Sequence, residues 1–281
     1  MIPCHDDGRL LTEALASLEG SEPLEVVVVD DGSTDEETLR LLDQFENDGV
    51  HVVHQQNAGL SSARMAGVRA TSSQYVYPLD ADDRAHAASL SRLADALDGN
   101  PRAALAWGDE YVFGDIELLK RTAPELDRWR ITYLNEIPTS ALVRRSALEE
   151  VGGWQLRSGY EDWDLDVALA GAGWEGVYVP GAISRYYRQH GPRMLQEALR
   201  IHARLVDEIR RRSPTLFERR AANWRASRAP WRLKLLVPVL ARLPFLGPYG
   251  RQRLIHLTAD PRRVLRVALR RRVLARRMRR H

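Results

Sequence analysis

At 281 residues with 44% hydrophobic side chains, the chain is long enough for one large domain, or a domain plus an appendage, built on a buried core. A single cysteine, Cys4, excludes an internal disulfide framework and a cysteine-based zinc site, and no run of about 18 apolar residues offers a membrane span. The formal net charge of +3 conceals an asymmetry: residues 1–199 carry 17 Lys/Arg against 34 Asp/Glu, while residues 200–281 carry 24 against 4.

That asymmetry, with Gly191-Pro192 as a breaker, divides the chain into an acidic part, 1–194, and a basic part, 195–281. At the N-terminus only Met1 and Ile2 precede Pro3, fewer than the five or so residues of an ordinary strand. A first strand here is therefore abbreviated or begins upstream. Pro3, His5, Asp6 and Asp7 leave no charged-then-apolar leader, so a cytoplasmic location is the default expectation.

Leu24 to Val29 is an apolar, β-branched run that stops at Asp30-Asp31-Gly32-Ser33, the pattern of a buried strand delivering polar groups at its C-terminal end. A helix follows, capped by Ser33 or Thr34, with Asp35, Glu36 and Glu37 at its positive end and Leu39, Leu41, Leu42 and Phe45 as its apolar stripe. Val50 to His54 reads as a strand and Ser61 to Ala70 as a helix. Tyr75 to Leu79 reads as a strand ending in Asp80-Ala81-Asp82-Asp83. Ala85 to Leu97 reads as a helix closed by Asp98-Gly99-Asn100-Pro101. This alternation predicts a mostly parallel sheet with helices on both faces. Ligands gather at the C-terminal ends of such strands, where Asp30, Asp31, the 57–64 segment and the Asp80–Asp83 run converge.

Each segment taken alone has a plain structural reading. Asp80 and Asp82 alternate after a strand and can share a hard divalent cation such as Mg²⁺ or Mn²⁺, but an Asp-rich loop is also an ordinary solvated turn. Asp30 to Asp35 is also a strand end and helix cap. Asn57 to Arg64 is also a turn and cap, though its glycine and arginine stand where a phosphate-binding loop needs them. Glu161-Asp162 precedes Leu165, Val167, Ala168 and Leu169, as acids do at a helix N-terminus. Trp154, Trp163 and Trp174 read as core in preference to a sugar-stacking face.

Order and spacing together carry more than any one segment. The stretches Ile2-Pro3-Cys4-His5-Asp6, Val29 to Asp35, Asn57-Ala58-Gly59 with Ala63-Arg64, Asp80 to Asp83, and Gly159 to Leu165 resemble those of glycosyltransferase family 2, over roughly residues 2–190. The resemblance implies a GT-A fold, Rossmann-like, followed here by a basic helical C-terminal appendage. It implies an inverting, single-displacement transfer from a nucleotide sugar of UDP, GDP or dTDP type. By that resemblance Pro3 and His5 line the base pocket, Asp31 binds the base, and Asn57, Gly59 and Arg64 lie along the donor. Asp80 faces ribose and metal, Asp82 is the principal metal ligand, His190 is a further metal ligand, and Asp162 is the base that takes the acceptor's proton. The chain departs from the family at His5-Asp6, where an aromatic residue and an asparagine are usual. This departure supports a rival reading as a non-catalytic nucleotide-binding scaffold.

In the basic part, residues 195–212 have helical spacing, and Leu233 to Leu246 is apolar but interrupted by Pro238 and Pro244. Arg262 to Arg280 has the pattern of a basic amphipathic helix. Such a region fits the anionic cytoplasmic face of a membrane, where a lipid-linked or envelope glycan acceptor would lie. Self-association ranks second, and nucleic acid last, because no recognition motif accompanies the charge.

Overall fold

The computed structural model describes residues 1–20, 24–114, 117–157, 159–189, 201–243 and 247–259. They form two compact units: Met1–Leu126 with Glu136–His190, and Asp127–Asn135 with Gly191–His281. The sequence boundary at 194/195 missed the 127–135 segment. That segment joins the second unit because Trp129 and Leu134 are buried against Ala229, Leu233, Val237 and Ile255, a pairing without local sequence pattern.

The first unit begins with three parallel strands, β1 (Ile2–Cys4), β2 (Val27–Asp31) and β3 (His51–Gln55), in the order β1-β2-β3. Between them run α1 (Gly8–Ala16) and α2 (Glu36–Asn47), and α3 (Leu60–Arg69) follows β3. The unbroken apolar run of β2 reflects burial on both faces. Val28 packs with Leu11, Ala14 and Leu42 on one side, while Val27 and Val29 meet Ala63 and Ala66 of α3 on the other. α3 sits so close that a Cβ on Gly67 would lie 2.9 Å from that of Met1. Helix α2 is capped by Asp35, whose carboxylate accepts from Thr38 N at 2.8 Å, and not by Ser33 or Thr34.

The expected strand Tyr75–Leu79 is realised as β4 (Tyr75–Val76), which pairs antiparallel with β7 (Leu142–Arg144). The next residues join the first strand instead, since Met1 N donates to Tyr77 O and Leu79 N to Met1 O. After α4 (Ala87–Asp98) come β5 (Ala103–Gly114), β6 (Leu118–Lys120), β7, α5 (Arg145–Glu150), α6 (Glu161–Ala172) and β8 (Glu175–Gln189). β5 pairs antiparallel with β6 and β7 but parallel with β8. The architecture is α/β, with a parallel first half and a mixed second half. Asp31 ends β2, and Asp80, four residues past β4, is tied through Arg64 to Glu161 at the start of α6.

The second unit contains α7 (His202–Arg212), α8 (Pro214–Glu218), α9 (Arg220–Ala226), α10 (Trp231–Leu240) and α11 (Pro248–Ala259). α10 continues through Pro238, where the sequence predicted an interruption, and stops at Leu240. No helix among the described residues is long and apolar enough to cross a membrane. The predicted amphipathic segment Arg262–Arg280 lies outside the described residues.

Candidate active site

The end of β2 organises one side of the site. Asp31 is buried and accepts from Gln55 Nε2 at 2.6 Å, Ala58 N at 2.8 Å and Gly59 N at 2.9 Å. Its carboxylate thus holds the 57–59 loop in place. That loop passes so near the β2 turn that a Cβ on Gly32, whose φ is +71°, would stand 2.6 Å from Asn57 N. His5 donates from Nδ1 to Asp31 O at 3.0 Å, which leaves Nε2 to accept from Asn57 Nδ2 at 3.3 Å and fixes the ring beside that loop. Pro3 is buried within β1 in register with Val29, where it serves the sheet.

The departure at Asp6 has a physical account. Its backbone is left-handed, φ +57°, a conformation that Asn and Asp tolerate better than other non-glycine residues. Its Oδ1 accepts from Thr34 N at 2.7 Å and Asp35 N at 2.9 Å, and Ser33 Oγ accepts from its own N–H. A short side chain with one acceptor oxygen meets this requirement, and an asparagine oxygen would do the same.

The end of the Tyr75–Leu79 segment forms the second side. One oxygen from each of Asp80, Asp82 and Asp83 can be chosen so that all three lie within 4.8 Å of one another. Three close carboxylate oxygens are the donor set a hard divalent cation takes, so the residues present fit Mg²⁺ or Mn²⁺. His190 lies outside the described residues. Asp80 Oδ1 accepts from Arg64 Nη2 at 2.7 Å, and its Oδ2 meets Arg185 Nη1 at 3.2 Å. Burial would raise the Asp80 pKa, but the two guanidiniums hold it below the usual carboxylate value. Asp83 is buried, receiving Arg185 Nη1 at 2.6 Å and Arg188 N at 2.8 Å. There burial wins over Arg185, assisted by the charges of Asp80 and Asp82, and lifts the carboxyl to about 7.

Arg64, expected near the nucleotide or its phosphates, has a buried guanidinium that donates to two carboxylates, Asp80 and Glu161, the latter at 2.9 Å from Nη1. The Ala58 and Gly59 amides are likewise committed to Asp31. Both features that resembled a phosphate cradle make hydrogen bonds within the protein, to Asp80, Glu161 and Asp31.

Glu161 and Asp162 open α6, as expected, and the residue before them, Tyr160, is in the left-handed region at φ +60°. Such strain is tolerated where surrounding structure fixes the turn, and it aims the first turn of a helix. Asp162 Oδ2 accepts from Thr139 Oγ1 at 3.1 Å and Oδ1 from Trp163 N at 2.8 Å. Trp154 and Trp163 are core residues, Trp154 lying under the Arg64 guanidinium at 5.8 Å.

Sequence reasoning missed Arg185 and Glu110. Arg185 on β8 links Asp83 and Asp80 to Glu110 on β5, whose Oε1 accepts from Nε at 2.8 Å. Glu110 is fully buried and paired also with Lys120; burial opposes its ionisation, but the two cations bring its pKa down to about 2. The available signal was an acidic pair, Asp109-Glu110, within a buried strand run that began Ala103-Ala104-Leu105-Ala106-Trp107.

A family model described as "Glycosyl transferase family 2" matches residues 1–152. The uncharacterized glycosyltransferase EpsJ of Bacillus subtilis (strain 168) is 30% identical over 103 residues, spanning 36% of this chain and only 30% of that protein. The uncharacterized glycosyltransferase Rv0539 of Mycobacterium tuberculosis (H37Rv) is 28% identical over 191 residues, 63% of this chain and 80% of that protein. Among solved structures, the mannosyltransferase PcManGT of Pyrobaculum calidifontis, in complex with GDP-Man and Mn²⁺, shares the fold at a TM-score of 0.56 and 18% identity. That match covers 92% of this chain and 84% of that one.

Proposed function

The chain belongs to glycosyl transferase family 2, and from that premise we propose that it transfers a sugar from a nucleotide-sugar donor to an acceptor hydroxyl, with a divalent cation and with inversion at the anomeric carbon. One observation carries the reading. A single buried guanidinium, that of Arg64, joins Asp80 of the acidic run to Glu161, the neighbour of Asp162, so that two motifs about eighty residues apart serve one site.

Asp162 is the group that fits the base. Its carboxylate is oriented by Thr139 and by its own helix N-terminus, and it takes the proton from the acceptor hydroxyl as that oxygen bonds to the anomeric carbon. The bond from that carbon to the phosphate oxygen breaks on the opposite face, which inverts the centre in one displacement. His5 and Asp31 are assigned to the base of the nucleotide, and Asn57 and Gly59 to positioning it. Asp80 and Asp82 would hold the cation, which neutralises charge on the departing diphosphate. The GDP-Man and Mn²⁺ bound to PcManGT support a donor and a metal of these classes.

We assign transfer to the first unit and attachment at an anionic, cytoplasmic membrane face to the second, with a lipid-linked or envelope glycan as acceptor. The charge of residues 200–281, 24 basic against 4 acidic, supports that placement. A panel of UDP, GDP and dTDP sugars, incubated with Mn²⁺ and followed by mass spectrometry for released nucleotide, tests the enzyme reading. Turnover of one donor that EDTA abolishes is expected. No turnover of any donor, with nucleotide still bound, would leave the non-catalytic scaffold.

A further inference from the structure

We propose that the outward face of α10 is the element of the second unit that docks on an anionic bilayer, an inference resting on the membrane placement above. α10 is apolar on nearly every side. Leu233 and Val237 turn into the core of the unit with Trp129, Leu134 and Ile255. Trp231, Leu235 and Val239, spaced four apart, point the other way and are 75%, 56% and 57% exposed, with Leu236 beside them at 47%. On a helix Trp231, Leu235 and Val239 share one arc opposite the buried pair, with Leu236 at its margin beside Leu233.

The distribution of exposed large apolar side chains identifies the occupant. In the first unit they are three separated leucines, Leu24, Leu39 and Leu119, each near 40%. Among the described residues the second unit's other exposed large apolar side chains, Ile201, Trp224 and Leu257, are each under 40% exposed, so the best counterpart a second copy offers is the same face, and such pairing would bring together two units of strongly positive charge. A bilayer surface meets both demands. Arg232 is exposed on the same arc, and exposed Arg225, Arg228 and Arg242 lie close to it in the sequence; their long stems can lie along the apolar surface while the guanidiniums reach anionic headgroups, and tryptophan beside aliphatic residues is the composition that settles at the headgroup and acyl boundary. The helix lies too short to span, at ten residues, and would lie in the plane of the interface.

The test is sedimentation of the 281-residue chain with vesicles of phosphatidylcholine and phosphatidylglycerol in a ratio of about 3:1, compared with the Trp231→Ser/Leu235→Ser/Val239→Ser variant. Each substitution is on an exposed position, so circular dichroism and thermal unfolding should be unchanged. We expect partitioning to weaken at least about tenfold in the variant, the loss persisting at about 0.5 M salt where headgroup attraction is screened. Brominated phosphatidylcholine should quench a component of the tryptophan emission that Trp231→Phe removes. Equal partitioning of the two proteins, or unaltered quenching in Trp231→Phe, overturns the proposal. Binding lost only when residues 260–281 are deleted overturns it while keeping the wider membrane reading. Absence of binding by the unaltered chain overturns both. A vesicle-independent dimer that the triple substitution dissolves assigns the face to a second copy and also overturns it. Donor turnover is measured alongside, so that failure here is distinguishable from failure of the glycosyltransferase assignment.

Discussion

Replacing Arg185 with methionine removes a charge while keeping most of the side chain's volume, so its effect reports the electrostatics of the site. The guanidinium lies at 2.8 Å from Glu110, 2.6 Å from Asp83 and 3.2 Å from Asp80, and the first two carboxylates are buried. Breaking a buried ion pair by deleting one partner costs about 3–5 kcal/mol, because the other charge remains uncompensated. The deficit should depend on pH in a definite direction. Burial lifts Asp83 from 3.8 to about 7 against the pull of Arg185. A folded pKa above the unfolded one gives stability that is fully present below the unfolded value and lost as pH rises through about 7. Without Arg185 the folded pKa moves higher still, so the variant's deficit widens by about 1.4 kcal/mol per pH unit above 7 until the new pKa is reached. Below that window Asp83 is protonated in both proteins, and the remaining deficit comes from Glu110, which keeps Lys120 but loses its second cation. Urea unfolding near pH 6 and near pH 8.5 measures this, and adding Asp83→Asn to the variant should flatten the pH dependence. A deficit below about 1 kcal/mol, or one equal at both pH values, would refute the brace.

Asp82→Ala should abolish the EDTA-sensitive part of nucleotide-sugar affinity in titration calorimetry; affinity that stays metal-responsive would end the assignment of Asp82 to the cation. Asp162→Asn should slow transfer about 10²–10⁴-fold while donor Kd stays within about twofold, and an equal loss of both would make its role structural. Asp6→Ala should lower the urea-unfolding midpoint, since the variant strains a left-handed residue and takes the acceptor from the Thr34 and Asp35 amides, whereas Asp6→Asn should leave the midpoint nearly unchanged. Comparable losses in the two Asp6 variants would show that charge matters there more than conformation.

Much of the parallel half was legible because burial on both faces of β2 produces an unmistakable apolar run, and because glycine and acids punctuate its end. Helices α2, α3 and α4 fell within about two residues of their expected bounds for the same reason: caps and stripes are local. The β4 segment was misread because it serves two partners. Tyr75 and Val76 pair with β7, while Tyr77 and Leu79 pair with Met1, and neither choice is encoded next to the residues that make it. Motif order likewise gave Asp31, Asp80, Asp82 and Asp162 as candidates, but it could not distinguish a side chain facing a ligand from one facing another motif. Arg64 is the example: an arginine one helical turn beyond a glycine loop looks like a phosphate ligand, and only the structure shows its guanidinium donating to the half-buried Asp80 and Glu161.

That reassignment alters how the acidic run is understood. Asp80 receives Arg64, which reaches toward the helix bearing Asp162, and also Arg185, which reaches through Asp83 to Glu110 on β5. Its carboxylate therefore joins the acidic run both to the start of α6 and to β5. A cation held by this run would be placed relative to Asp162 by two guanidiniums whose own positions are fixed by burial, so the precision of the site resides in residues that need touch no substrate. Such fixed charges need no reorganisation when negative charge grows on a departing diphosphate, which is the condition under which electrostatic stabilisation lowers a barrier most.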